Sequence, residues 1–594
     1  MYELVPRRVA KAVKQGKQRI KHHRKTRAMF IRAYVGQYFA DTHGITGDTP
    51  INLVYNAIRA TVPQYVMRDP ITEVHSDIVE YDDYAFLLGK ALDSNNRRTK
   101  KKFTLRYGLV DSFFSIGIFK TALADSDSFV RYGDKRIDPG MVFTDNVSLD
   151  DFVADPDCKS FDRAAFTGDM VRVPRQLLLD NDSFDHDLVM KIPRSNHPDS
   201  KNRVDNMTKS GLTDNEVARL EDHVDIYYLY VPDADAILVM PDPDTVVLDD
   251  YLAVHDYYGP KDGPYTFMSL SQPVPDNPFP IAPVGVWYDL NKMANKMMVK
   301  TMEQAERQKS VLLADPAAAD EVEDLRTSED GDVLMGDPKN ASVFNFGGKD
   351  RDTEGFVDSL RVWFNYMSGN PDQMAGVAGN AKTATQSQIL AGNAAVGLED
   401  GKDMTYDTAS AISEKEAWYM HHDPLINIPI PHRVSGGTRV QLQLTPEQRR
   451  GQPEDFIFKI KARSMQVKDP HLLAQQLENF MSRTLPSTVQ AGMQMMQMGI
   501  PFNVSKALMD VADKAGILEE IADWFDDPDF QRRIQMMQML GPQGEMKAGM
   551  ASPGAIAQNG GPANAKAGGP TSPMQDQKAG EQSIANISQS AMKG

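Results

Sequence analysis

The sequence predicts an α+β fold, mainly α, and three observations carry that expectation. Apolar residues recur at helical spacing through most of the chain. One stretch, 139–260, changes to β-branched and aromatic residues broken by Asp and Pro. Hydrophobic residues make up 41% of the 594 positions, enough for a sizeable core. That length accommodates about three or four domain-sized units.

From the N-terminal side, Leu53, Ala57, Ile58, Val62, Tyr65 and Val66 follow a helical period, with Pro63 expected to kink or end that helix. Leu109, Phe113, Ile116 and Phe119 form a second such stripe. Val224, Ile226, Tyr228 and Tyr230 alternate, as a half-buried strand does, and Ala236–Met240 and Thr245–Leu248 read as partner strands joined by Pro-Asp turns. Seven prolines over 259–283 imply a stiff, irregular connector.

A helix is expected from Val286 to Ser310, with Leu290, Met293, Met297 and Ala305 on its apolar face and Lys292, Lys296 and Lys300 in a row on another. Residues 311–350 are acidic, with Gly-Asp turns and short strands at Val333–Met335 and Ser342–Phe346. A second helix, Asp352–Ser368, puts Phe356, Leu360, Trp363, Phe364 and Met367 on one side. After a glycine-bearing loop, a long helix rich in Ala, Gly and Thr runs from Thr383 to His421. Gly392, Gly397 and Gly401 each weaken it by about 1 kcal/mol relative to Ala, so a bend is expected. Strands return at Thr438–Leu444 and Phe456–Ala462, and 469–540 is helical and methionine-dense, a composition suited to adaptable packing. Residues 541–594 carry no aromatics and are dominated by Gly, Ala and Pro, a composition expected to stay disordered.

Charge narrows the function classes. Lys plus Arg total 65 against 82 Asp plus Glu, a net −17, which argues against a general nucleic-acid coat. The exception is 1–29, with ten Lys/Arg and only Glu3 as an acid, read as a basic arm for nucleic acid, an acidic partner or a membrane surface. A solvated helix face is the plainer reading. The single cysteine, Cys158, cannot form an internal disulfide and excludes Cys-based zinc sites. No apolar run of membrane-spanning length occurs, and no secretory leader is expected at the N-terminus.

Catalytic motifs are weak. Gly376-Val-Ala-Gly-Asn-Ala381-Lys382-Thr383 misses the phosphate-cradling loop by one residue, because Ala381 stands where the second glycine belongs. Such a loop also needs a preceding buried strand, and a helix and polar turn are expected there instead. His22-His23 and His421-His422 are adjacent pairs whose side chains diverge on a helix, and no His-Glu-x-x-His occurs. The acidic runs Asp125–Asp127, Asp242–Asp244 and Glu329–Asp332 lack the EF-hand pattern and read as turns. No metal site, cofactor or catalytic residue is assigned.

The order of parts resembles a portal (head-to-tail connector) protein of a tailed bacteriophage, of the short-tailed type, over roughly 50–540. Asn52-Leu53-Val54 through Asp69-Pro70 is similar to that family's opening wing helix. Asp151–Pro156 followed by Ser160–Phe166 resembles a strand-turn segment of the wing, and Gly263-Pro264-Tyr265 leads through the proline connector to Leu290-Asn291-Lys292, like the first stem helix. Lys382-Thr383-Ala384-Thr385-Gln386 resembles a Thr-Ala-Thr-Glu pattern, with Gln386 in place of Glu.

The resemblance implies a basic arm at 1–29, a wing at 30–282 and 383–466, stem helices at 283–310 and 351–368, a clip at 311–350, a tunnel loop at 369–382, a crown at 467–540 and a tail at 541–594. It implies a closed ring of about twelve copies at one capsid vertex. Such a ring is the conduit for double-stranded DNA in packaging and ejection, assembled in the host bacterial cytoplasm and carried in the virion. The implied partners are the large terminase, the head-to-tail adaptor, the major capsid protein and scaffold, with no enzymatic activity, cofactor or membrane. Asn380 and Lys382 are expected to project into the DNA channel. The clip acids Asp320, Glu321, Glu323, Asp324, Glu329 and Asp330 are expected to meet terminase or adaptor. The lysine row Lys292, Lys296 and Lys300 is expected either to be a solvated face or to sit at a subunit boundary or face a polyanion. The rival readings are a nucleotide-using packaging ATPase built on Gly376–Thr383 and a purely structural capsid or tail subunit.

Overall fold

Pro6 opens a long helix at the position where a missing N–H costs no helical hydrogen bond. The computed structural model, in which this helix is the first element, describes residues 4–36, 51–124, 130–132, 135–137, 140–195, 222–314, 341–346, 351–369, 384–423, 425, 428–433, 439–461, 464–465, 470–498, 504–515 and 517. In chain order the larger elements are α1 (Pro6–Val35), α2 (Leu53–Tyr65), β1 (Thr72–Ser76), α3 (Asp82–Thr99), α4 (Lys101–Phe114) and β2 (Gly117–Ala124). Then come β3 (Val130–Tyr132), β4 (Lys135–Ile137), β5 (Met141–Asn146), β6 (Phe152–Ala154), β7 (Thr167–Pro174), α5 (Arg175–Leu179), α6 (His186–Lys191), β8 (His223–Val231), β9 (Ala236–Pro241), β10 (Ala253–Asp256) and β11 (Tyr265–Met268). The remainder is α7 (Pro283–Glu306), β12 (Lys309–Ala314), β13 (Ala341–Phe346), α8 (Arg351–Met367), α9 (Ala384–His422), β14 (Ile428–Arg433), β15 (Arg439–Leu444), β16 (Phe456–Ile460), α10 (Pro470–Asn479), α11 (Leu485–Gln497) and α12 (Val504–Ala515). The fold is mixed α+β and mostly helical.

A five-stranded antiparallel sheet has the order β10-β9-β8-β7-β6. Its central strand, β8, is buried on both faces, so it is not the half-buried strand its alternation predicts: Tyr227 and Leu229 are covered as fully as Val224 and Ile226. What covers the second face is α1, through Ala10 and Val13, in a cluster with Val153, Tyr227 and Leu229. Residues 245–248 form no strand; β10 takes that place. The proline-rich connector contains a strand too, β11, which pairs with β2 in a three-stranded sheet completed by β5. The helical stripe expected through Phe119 stops earlier, because α4 ends at Phe114 and Gly117 begins β2.

The basic N-terminal stretch is therefore no separate arm. Gly16 lets α1 approach β6 closely: a Cβ there would stand 2.3 Å from the Ala154 carbonyl oxygen. At least half of the cations expected to serve a partner are spent on the body itself. Lys17 pairs with Asp242 at 2.8 Å and also with Asp244. Burial alone would lower its pKa, but Tyr227, Asp242 and Asp244 hold it above the ordinary value. Arg27 pairs with Asp111 at 2.7 Å, Arg24 donates to the carbonyls of Leu149 and Phe152, Arg19 donates to that of Pro156, and Arg7 pairs with Asp249 on the surface.

Helix α9 crosses the interior with an unusually polar buried face. Thr405, Thr408 and Ser413 satisfy their hydroxyls on the carbonyls of Gly401, Met404 and Ala409, one turn back. Gly401, expected only to weaken this helix, also makes room: a Cβ there would lie 2.3 Å from the Tyr65 hydroxyl of α2. Glu416, 0% exposed, takes Lys101 as an ion-pair partner, accepts a hydrogen bond from Thr144 at 2.7 Å, and accepts another from Asn95 at 3.4 Å. Strand β16 pairs with β1, closing the same body from the far end of the chain.

Beside Glu416, Lys415 is also buried and donates to the carbonyls of Gly263 at 2.8 Å and Tyr265 at 2.5 Å. Burial pushes its pKa down to about 8, against the opposing pull of Asp262, Asp162 and Glu414. Residues 541–594, composed as a disordered tail, lie outside the described residues, as do the predicted strand Val333–Met335 and much of 499–540.

Two measurements check this interior. Glu416→Ala leaves Lys101 buried and unpaired, so chemical denaturation is expected to show a loss of about 3–5 kcal/mol; a loss under about 1 kcal/mol contradicts the assignment. For Lys415, the folded pKa lies below the unfolded one, so the unfolded state binds more protons between them and stability rises with pH across that window. The stability difference between wild type and Lys415→Met is expected to grow in favour of wild type from about pH 8 to 10.5, by up to about 3 kcal/mol. A difference that is flat across the window rules out a depressed lysine.

Candidate assembly surface

Helices α7 and α8 form a hairpin. The start of α7 meets the end of α8, where Trp287 Nε1 donates to the Met367 carbonyl at 3.3 Å and its ring lies 6.0 Å from that of Phe364. The other ends are joined through the antiparallel pair β12–β13, in which Lys309 faces Phe346 and Ala314 faces Ala341. At about 1.5 Å per residue α8 is roughly 25 Å long and α7 roughly 36 Å.

The faces differ from those the sequence predicts. On α8 the inward line is Thr353, Leu360 and Phe364, while Phe356, Trp363 and Met367 point to solvent. Trp363 is 52% exposed and Tyr366 80%, and Phe356 packs edge-on to Trp363 with ring centroids 6.4 Å apart. On α7 the inward line is Val284, Trp287, Asn291, Ala294, Asn295 and Thr301, and Met293 is exposed. The shift has a cause in hydrogen bonding. Asn291 Oδ1 accepts from the Leu53 N–H at 3.3 Å, and Asn295 Oδ1 accepts from the Ile51 N–H at 3.0 Å. The two asparagines satisfy backbone donors at the start of α2 that no helical carbonyl can reach. Asn295 Nδ2 in turn donates to the Asn291 carbonyl at 2.8 Å. The expected apolar face of Leu290, Met293, Met297 and Ala305 leaves these asparagines out; their i, i+4 spacing in line with Trp287 was the available signal.

Lys292, Lys296 and Lys300 are all exposed on one face of α7, and the Lys292 ammonium sits 6.0 Å from the centroid of the Tyr288 ring. Asn380, Lys382 and the acidic residues Asp320, Glu321, Glu323, Asp324, Glu329 and Asp330 lie outside the described residues. So does the glycine-bearing stretch 376–383, and the described element before it is helix α8, not the strand a phosphate loop requires.

The remaining candidates for chemistry are occupied structurally. His23 stacks on Phe279 with centroids 4.0 Å apart, and His421 Nδ1 shares a hydrogen bond of 2.8 Å with the Tyr84 hydroxyl. Cys158 is buried, which pushes its thiol pKa up, away from reactivity. Among the described residues no group of three or more His, Cys, Asp or Glu is arranged to hold a metal. Among them too, no helix is long and apolar enough to cross a membrane.

Asn291→Ala strips the Leu53 N–H of its buried acceptor, so a loss of about 1–3 kcal/mol in unfolding free energy is expected. An effect below about 0.5 kcal/mol in urea denaturation contradicts the capping role. No family model matches the chain, and no curated protein matches it.

Proposed function

We propose that the chain is a portal (head-to-tail connector) protein of a tailed bacteriophage, forming a closed ring of about twelve copies around double-stranded DNA. The observation that carries this reading is the outward aromatic face of the α7–α8 hairpin. Phe356, Val362, Trp363, Tyr366 and Met367 are exposed together on a helix whose only large apolar side chains buried, among the described residues, are Leu360 and Phe364. An apolar patch of this kind marks an interaction surface. A ring supplies the cover without a foreign partner, because each copy presents its outer hairpin face to a different face of the next.

The order of elements supports the same reading. A helical hairpin tipped by a β-pair is followed by a 39-residue helix that returns into the body formed by the first part of the chain. In this reading the body is the wing, the hairpin the stem and the β12–β13 region the clip that docks terminase and then the tail adaptor. The protein acts by shape and charge, not by catalysis: Asn380 and Lys382 line the channel, and the ring sits at one vertex of the virion in contact with capsid protein and scaffold. Acidic walls repel phosphate and let DNA slide, leaving weak, salt-sensitive contacts to a few cations.

Native mass measurement of the full-length protein tests this. A single species near twelve times 66.1 kDa is expected. Trp363→Glu combined with Tyr366→Glu is expected to reduce it to small species with unchanged circular dichroism. A wild-type monomer, or a ring indifferent to the double substitution, contradicts the proposal.

A further inference from the structure

Docking of α1 sorts its cations into two sets. Arg7, Lys17, Arg19, Arg24 and Arg27 are engaged by the body. Lys11, Lys14, Lys25 and Arg32 stand exposed on the outer side, where Arg7 also falls by helical period and pairs with Asp249 at the surface. At 3.6 residues per turn these four fall within roughly 60° of one another, along roughly 31 Å of helix axis. Exposed Lys21 lies on the same face. The helix holds no acidic residue at all, so nothing within it neutralises the row.

The structure decides between the partner classes such a row could serve. A membrane-surface helix needs a free apolar face, but here Val13, Ile20, Phe30 and Ile31 are buried in the fold. A protein interface is anchored by aromatic or large apolar side chains in its centre. The outer face of α1 offers only Met29 of that kind, beside Gln15, Gln18 and His22. A phosphate backbone needs neither insertion nor an apolar anchor; it needs evenly spaced cations on a rigid support.

We propose that the outer face of α1 binds the phosphate backbone of double-stranded DNA, without sequence preference, through Lys11, Lys14, Lys25 and Arg32. This proposal rests on α1 alone and does not depend on the portal reading. The acidic remainder of the chain confines DNA to this face and keeps the affinity modest, because phosphate is repelled elsewhere.

The test is fluorescence anisotropy of a labelled mixed-sequence duplex with full-length protein, from about 50 to 200 mM salt. Wild type is expected to bind at low salt with an affinity that falls steeply as salt rises. Each phosphate contact contributes about −0.9 to the slope of log affinity against log salt, so four contacts give roughly −3.6. Lys11→Gln, Lys14→Gln, Lys25→Gln and Arg32→Gln combined remove exposed charges only, and should lower the slope by about that amount with unchanged circular dichroism. Lys292→Gln, Lys296→Gln and Lys300→Gln combined should leave the slope unchanged. The proposal is overturned if wild type fails to bind at low salt, if the α1 variant keeps the wild-type slope, if only the α7 variant loses binding, or if polyglutamate competes with DNA at equal charge concentration.

Discussion

Glu416 is the residue on which the body of this protein depends. Its carboxylate is fully buried and gathers Lys101 from the start of α4, Thr144 from β5 and Asn95 from α3. All three partners precede it by hundreds of residues, so this carboxylate ties the long helix α9 to the first part of the chain. A buried ion pair adds little net stability over an apolar pair, but removing one partner is costly. Its effect is therefore on register: α9 can slide by a turn only by leaving Lys101 unpaired. Gly401 against Tyr65 and Lys415 against the carbonyls of Gly263 and Tyr265 fix the same helix at two more points.

With α9 so fixed, the hairpin α7–α8 projects from a rigid base. Trp287 is its root, packed between Phe113 of α4 and Phe364 of α8. The inward stripe of α8 is narrow because the hairpin is only two helices thick, and two helices cannot bury Leu360, Phe364, Trp363 and Tyr366 at once. That geometric shortage leaves the aromatic face unpartnered among the described residues, and in the proposed reading a neighbouring copy covers it. The same logic separates α1, whose apolar face is already buried in the fold, its first part against the five-stranded sheet, and whose outer face is mostly polar and basic.

Periodicity made the long elements legible. The long helix expected over Thr383–His421 is Ala384–His422, and the pair expected at 286–310 and 352–368 is Pro283–Glu306 and Arg351–Met367. Side-chain faces were less legible, because burial of Asn291 and Asn295 depends on orphaned N–H groups of α2, more than two hundred residues away. Strand β11 was hidden among prolines, since pairing with β2 is a tertiary property that local composition opposes. The docking of α1 was masked by its charge, as nothing in a run of Lys and Arg says which of them will meet Asp111, Asp150, Asp242 or Asp244. The residues expected to line the channel and to form the acidic docking surface are legible only through the family resemblance.

Electron cryomicroscopy of the assembled full-length protein tests the central claim most directly, namely that the outer face of α8 is completed by a neighbouring copy. The account predicts a closed ring in which Trp363 and Tyr366 of each copy are packed against the hairpin of the next. A ring with that face open to solvent, or an open filament built through other surfaces, would contradict it.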